Sequence, residues 1–155
     1  MKILMVCLGN ICRSPLAMEI LRRKAEEATL DITVDSAGFE PYHIGDVADR
    51  RSADIAKKHN LDLSEHRARL FQHDDFEKYD KIYVMDQYNY EDVKYMAKND
   101  DDMKKVDLIL NVLYPGENKD IADPYYGGIN GFENVYNALE KVSDEIIRLI
   151  KANEL

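Results

Sequence analysis

The run KILMVCLGNICRSPLAMEIL, Lys2 to Leu21, constrains the fold more than any other stretch of the chain. Ile3 to Val6 are apolar without alternation, which is the pattern of a strand covered on both faces. Gly9 and Asn10 then interrupt the chain, and beyond them Ala17, Ile20, Leu21 and Ala28 recur at helical spacing. Ser14 suits an N-cap and Pro15 the first helical position, so a helix is predicted over residues 15–28. A strand that feeds a helix through a tight loop is the opening of a βαβ unit.

The rest of the chain repeats the alternation. DITVDSAG gives a second strand through Ile32 and Val34, ending in a turn by Gly38. A polar helix is predicted from Asp46 to His59, a third strand over Ile82 to Met85, a helix from Tyr88 to Ala97 and a fourth strand over Val106 to Ile109. Val135, Leu139, Val142, Ile146 and Leu149 then form one apolar stripe on a final helix. The expected fold is α/β: a doubly wound, four-stranded parallel sheet with helices on both faces, in a single domain over residues 1–155. KNDDDMKK reads as a solvated helix end, and the tyrosine-rich YDKIYVMDQYNYEDVKY as strand and helix surface, with weak self-association as its other role.

A composition of 45% hydrophobic and 33% charged residues is that of an ordinary globular domain. With no long apolar run and no cleavage-site pattern, the expected location is the cytoplasm. A net charge of -9 argues against nucleic-acid and anionic-membrane partners, so an anionic ligand must be met by a local basic pocket. His43, His59, His66 and His73 lack ligand spacing with thiols or carboxylates, so neither metal nor other cofactor is expected.

Ligands of doubly wound sheets bind beyond the carboxyl ends of the strands, and Cys7 lies at such an end. The loop Leu8, Gly9, Asn10, Ile11 and Cys12 has the makings of an anion cradle: Gly9 can take positive φ, Asn10 tolerates the left-handed region, and the helix that follows offers free N–H groups. The Walker lysine is missing, which disfavours nucleotide hydrolysis by that route. Instead a thiol stands at the base of the loop with a guanidinium after it. Arg13 can give two parallel hydrogen bonds to phosphate oxygens, the electropositive cup favours a thiolate at Cys7, and Ser14 can donate its hydroxyl to that sulfur. Cleavage of a phosphate ester by a thiolate also needs a proton for the leaving oxygen. Asp123-Pro124, in the Pro- and Gly-rich ADPYYGG, reads on its own as a turn.

Cys7 to Ser14, together with the downstream Asp123-Pro124-Tyr125-Tyr126, resembles the paired signature of the low-molecular-weight protein tyrosine phosphatases, and the resemblance covers essentially the whole chain. It implies Cys7 as nucleophile, Arg13 as phosphate clamp and Asp123 as acid and then base, acting through a phosphocysteine on phosphotyrosine-containing protein substrates. It further implies that Asn10, Ser14, Ser36 and His66 form a hydrogen-bond network supporting the loop, that Tyr125, Tyr126 and Tyr42 wall the substrate pocket, and that Cys12 can capture an oxidised Cys7. Three rivals share parts of this pattern. Thioredoxin-coupled arsenate reductases need further cysteines, and none follows Cys12. Protein-arginine phosphatases tend to carry threonine where this chain has Ile11, which favours tyrosine. A non-catalytic phosphate- or phosphotyrosine-binding module would have no need of Cys7 or Asp123.

Overall fold

The computed structural model describes residues 1–155, the side chain of Ile129 excepted. The central strand is β1 (Lys2–Val6), whose residues Ile3 to Val6 are all fully buried. It pairs in parallel with β2 (Thr33–Ala37) on one side and β3 (Lys81–Val84) on the other, and β4 (Val106–Leu108) extends the sheet beyond β3. The order is thus β2-β1-β3-β4, all parallel, as the apolar runs predict.

Successive side chains of β1 point to opposite faces, which divides the core in two. Ile3 and Met5 join α1 (Arg13–Glu27) and α6 (Ile129–Lys151) through Leu16, Ile20, Leu21, Leu139, Val142 and Ile146. Leu4 and Val6 meet Phe71, Phe76 on the single-turn helix α3 (Asp75–Lys78) and Val93 on α4 (Gln87–Met96). Helices therefore cover both faces, and α2 (Arg50–Lys58) packs on the α6 side through Ala56. KNDDDMKK contains the one-turn helix α5 (Asp100–Met103), with Asn99 accepting from the Asp102 N–H. In the tyrosine-rich segment Tyr79 and Tyr83 are buried, while Tyr88 and Tyr95 face solvent.

Three local expectations need correction. Helix α1 begins at Arg13, with Cys12 in the N-cap position, because the Ser14 hydroxyl is drawn to Cys7 and Asn10 and does not cap. Helix α2 begins at Arg50, well after Asp46, because Asp49 accepts from the Arg51 N–H and makes the cap, whereas the Asp46 carbonyl accepts from the Ala68 N–H. Gly9 does not take positive φ; the left-handed residue in the loop is Asn10, at φ 56°. What Gly9 supplies is room, since a Cβ there would stand 3.1 Å from Glu40 Oε1 and 3.3 Å from His43 Cδ2.

The tightest backbone approach near the loop is at Gly38, just past β2. It bridges to Leu70, donating to the Arg69 carbonyl and accepting from the Phe71 N–H. A Cβ on Gly38 would lie 2.8 Å from both Asn10 N and Leu8 O. Those are backbone atoms, so neither can turn aside. Gly38→Ala is expected to cost about 2 kcal/mol or more, read in thermal unfolding as a midpoint lower by roughly 5 °C; an unchanged midpoint would refute this account of the loop's fit.

Candidate active site

The loop from Leu8 to Cys12 stands beyond the carboxyl end of β1, between β1 and α1. Its shape is fixed by its neighbours. The Leu8 carbonyl accepts from Phe39 N–H at 2.7 Å, the Ile11 carbonyl from Asp49 N–H at 2.8 Å, and the Cys12 carbonyl from the Ser52 hydroxyl at 3.1 Å. At its centre Asn10 is fully buried and every polar atom of its side chain is used. Nδ2 donates to Ser14 Oγ at 2.8 Å and to Ser36 Oγ at 2.9 Å, and Oδ1 accepts from Arg69 N–H at 3.0 Å. An amide nitrogen can only donate, so Ser14 Oγ is its acceptor and keeps its own proton free. That proton is available to Cys7, whose Sγ lies 3.0 Å from Ser14 Oγ, with the Ser14 N–H approaching the same sulfur at 3.5 Å.

His66, remote in sequence, reaches the loop: its Nε2 is 2.6 Å from the Asn10 carbonyl. A carbonyl only accepts, so Nε2 carries the proton and the ring is held in that tautomer. Burial pushes His66 below its ordinary value and Arg22 and Arg67 add to the effect, against the opposing pull of the Asn10 carbonyl. The four residues expected to support the loop, Asn10, Ser14, Ser36 and His66, are thus brought together. Burial first, and then the neighbouring Asp49, push the Cys12 thiol far up, so it stays protonated at neutral pH.

Arg13 is almost wholly buried, and one edge of its guanidinium is already committed. Nη1 donates to Asp86 Oδ2 at 2.6 Å and to the Ile121 carbonyl at 2.8 Å. Nη2 is 3.5 Å from Asp123 Oδ2, and among the described residues Nε has no partner. The Nε and Nη2 N–H groups lie parallel on one side of the guanidinium, the arrangement that grips two oxygens of one anion. Burial works against the Arg13 charge, but Cys7, the Asp86 hydrogen bond and Asp123 together outweigh it and hold the guanidinium above its ordinary value.

Asp86 was not singled out in the sequence. It ends the third apolar run, where ligands of parallel sheets gather, and it stands three residues before Asn89, whose N–H it caps through Oδ1 at 2.8 Å. Those two signals together mark it. Gly38 was marked only as a turn after the second strand, and Arg69, whose N–H holds Asn10, carried no signal of its own.

Asp123 arrives from the far end of the chain because Ile121, buried, donates its N–H to the Met85 carbonyl at 2.8 Å and so extends the end of β3. Asp123 Oδ1 accepts from Tyr125 N–H at 3.0 Å, a tight turn that sets the two tyrosines after it. Cys7, Leu8, Gly9, Ile11, Cys12 and Arg13 form the floor of a cavity of about 110 Å³, and Asp123, Tyr125, Tyr126, Tyr42, His43 and Glu40 form its walls. The rings of Tyr125 and Tyr126 meet edge to face at 4.9 Å, and Arg51, held by Asp49, lies over Tyr125 at 5.3 Å. Tyr42 and Tyr126 are mostly exposed, at 71% and 89%, so these walls stand open to solvent. Asn10, Ser14, Ser36 and His66 lie behind the floor.

Two outcomes follow from this geometry. Asp86→Asn leaves the cap on α4 but removes the charge that fixes Arg13, so inorganic phosphate, titrated by calorimetry, should bind about tenfold more weakly or worse; unchanged binding would mean that Asp86 does not set the clamp. Because His66 is held below its unfolded value, the unfolded chain binds the extra proton first as pH falls, so this group's stabilisation is present above the ordinary histidine range and lost on descending through it. Thermal midpoints between neutral and mildly acidic pH should therefore fall more in the native protein than in His66→Gln; equal falls would remove His66 from the account.

Comparison with known proteins places this geometry. Residues 2–154 match the family model described as low molecular weight phosphotyrosine protein phosphatase. A protein of that name from Schizosaccharomyces pombe is 36% identical over 152 residues, covering 96% of each chain. The structure of a protein tyrosine phosphatase from Entamoeba histolytica superposes with a TM-score of 0.91 at 31% identity, over 100% of this chain and 99% of that one. That of a Drosophila arginine phosphatase gives 0.89 at 31% identity, over 97% and 98%. A match that runs unbroken from β1 to the end of α6, and takes in both the cysteine loop and the Asp123 turn, makes this chain a member of the low molecular weight phosphotyrosine protein phosphatase family.

Proposed function

We propose that the chain hydrolyses phosphotyrosine in proteins, and small aryl phosphates, through a phosphocysteine intermediate. The observation that carries this reading is that Cys7, Arg13 and Asp123 all line one cavity walled by tyrosines, with Arg13 Nη2 3.5 Å from Asp123. A phosphate seated on the loop amides and on Arg13 presents its phosphorus to Cys7 Sγ. Sulfur attacks, the bond from phosphorus to the tyrosine oxygen breaks, and Asp123 gives its proton to the departing oxygen. Asp123 then takes a proton from water, which attacks phosphorus and releases the thiolate; the Ser14 hydroxyl, at 3.0 Å, stabilises that sulfur as it leaves. Arg13 and the amides hold the three equatorial oxygens through both steps, so the catalysis is largely positioning and preorganised charge. Asp86 and Ile121 are positioning residues for Arg13.

Ring depth supports the tyrosine preference. An aryl ester can pass between Tyr42 and the Tyr125–Tyr126 pair and bury its ring while its phosphate reaches the floor, whereas a serine ester is too short to fill the same walls. Ile11, buried in the floor, adds apolar surface there. A second reading, hydrolysis of phosphoarginine, draws on the likeness to the Drosophila arginine phosphatase.

Phosphate release from matched phosphotyrosine and phosphoarginine peptides tests the proposal. Release from phosphotyrosine is expected, abolished in Cys7→Ser and bell-shaped in pH, because thiolate and protonated acid must coexist. Asp123→Asn should lower kcat/KM, which reports the step that expels the leaving group, by about 10²-fold or more on phenyl phosphate and by less on p-nitrophenyl phosphate, whose leaving group needs no proton. Preference for phosphoarginine would select the second reading, and the absence of Cys7-dependent release from either would leave a binding module.

A further inference from the structure

The mouth of the cavity carries a charge that phosphate binding does not call for. Glu40 lines it together with Cys7, Gly9 and Arg13, its side chain 21% exposed and its Oε1 3.1 Å from where a Cβ on Gly9 would stand. The carboxylate therefore sits directly against the rim of the loop. Its approach to His43 is loose: Nε2 is 4.0 Å away, beyond hydrogen-bond distance, while Nδ1 of the same ring is taken by Asp46 at 2.9 Å. Arg13 in the cavity and Arg51 over Tyr125 face carboxylates of their own. Arg13 has Asp86 and Asp123, and Arg51 is doubly hydrogen-bonded by Asp49. Around the entrance, then, the imidazole is hydrogen-bonded to Asp46 and not to Glu40, and the chain as a whole carries a net charge of -9.

A phosphorylated substrate brings negative charge to this entrance and is repelled by Glu40 unless it also brings a cation. An extended peptide advances about 3.3 Å per residue, and a lysine or arginine stem is as long as two such steps. A basic residue beside the phosphotyrosine can thus reach the rim. We infer that Glu40 is a specificity-determining residue, which selects phosphotyrosine flanked by lysine or arginine and disfavours phosphotyrosine flanked by aspartate or glutamate. The inference rests on the phosphotyrosine reading above. The arrangement also separates two tasks. The floor binds the phosphate that all substrates share, and the rim reads the charge around it.

The test is kcat/KM for three phosphotyrosine peptides of one length, differing only in whether lysine, alanine or aspartate flanks the phosphotyrosine, with phenyl phosphate as a substrate lacking flanks. A partly exposed ion pair supports a preference of about fivefold per charge step. The native protein should favour the lysine peptide over the alanine peptide, and the alanine peptide over the aspartate peptide, by about that factor. Glu40→Gln should bring the three peptides close together, and Glu40→Lys should reverse their order. Raising the ionic strength from about 0.02 M to about 0.5 M should collapse the native preference, because the pair is open to solvent. Cys7-dependent turnover whose peptide ratios are the same in all three proteins would overturn the assignment of Glu40 while leaving the phosphotyrosine reading intact. No Cys7-dependent release from the peptides or from phenyl phosphate would overturn the reading beneath it and the inference with it.

Discussion

The side chain of Asn10 is the point on which the site depends. A backbone turn through the left-handed region is costly for a residue with a Cβ, and asparagine is among the few that adopt it with tolerable strain. Here three side-chain hydrogen bonds and a contact from His66 to the backbone carbonyl over-determine that conformation. The same bonds orient the Ser14 hydroxyl, through it address Cys7, and tie the loop to Ser36 on β2 and to the segment before α3. Buried polar groups stabilise a structure only when all are satisfied, and around Asn10 they are. The loop is therefore rigid before any ligand arrives, which is what preorganised charge stabilisation requires.

A second arrangement handles the buried guanidinium. An arginine taken out of water needs compensation, yet one fully enclosed by carboxylates would be useless as an anion ligand. Asp86 and the Ile121 carbonyl satisfy one nitrogen at short range, and Asp123 stands off at 3.5 Å from another. The charge is held in place and still presented. Asp86 does this while capping α4 with its other oxygen, so the helix start and the clamp are one construction.

What was legible in the sequence follows the same physics. Strand runs buried on both faces, helical stripes and the short strand-to-helix loop are local signals, and they yielded the parallel sheet, its helices and the floor of the cavity. Cys7 and Arg13 were legible together because one short loop carries both, whereas Asp123 was marked only by the likeness of its loop to the paired signature. The errors lay where tertiary bonds overrode local preference: Ser14 would cap a helix in isolation, but a buried sulfur and amide claim its hydroxyl. Asp86, Arg69 and Gly38 meet the cysteine loop only across long sequence separations, and Glu40 and His43 were obscured by an ordinary loop composition. Their roles exist only once β2, β3 and the Asp123 turn have been assembled.

Arg13 is 73 residues from Asp86 and 108 from the Ile121 carbonyl that also holds it. During synthesis the cysteine loop is made long before either anchor, and the guanidinium beside it has no fixed direction until most of the sheet has formed. A chain cut before Ile121 keeps the loop and loses the carbonyl that holds Arg13. The direction of this guanidinium is thereby a property of the completed fold and not of the loop that carries it.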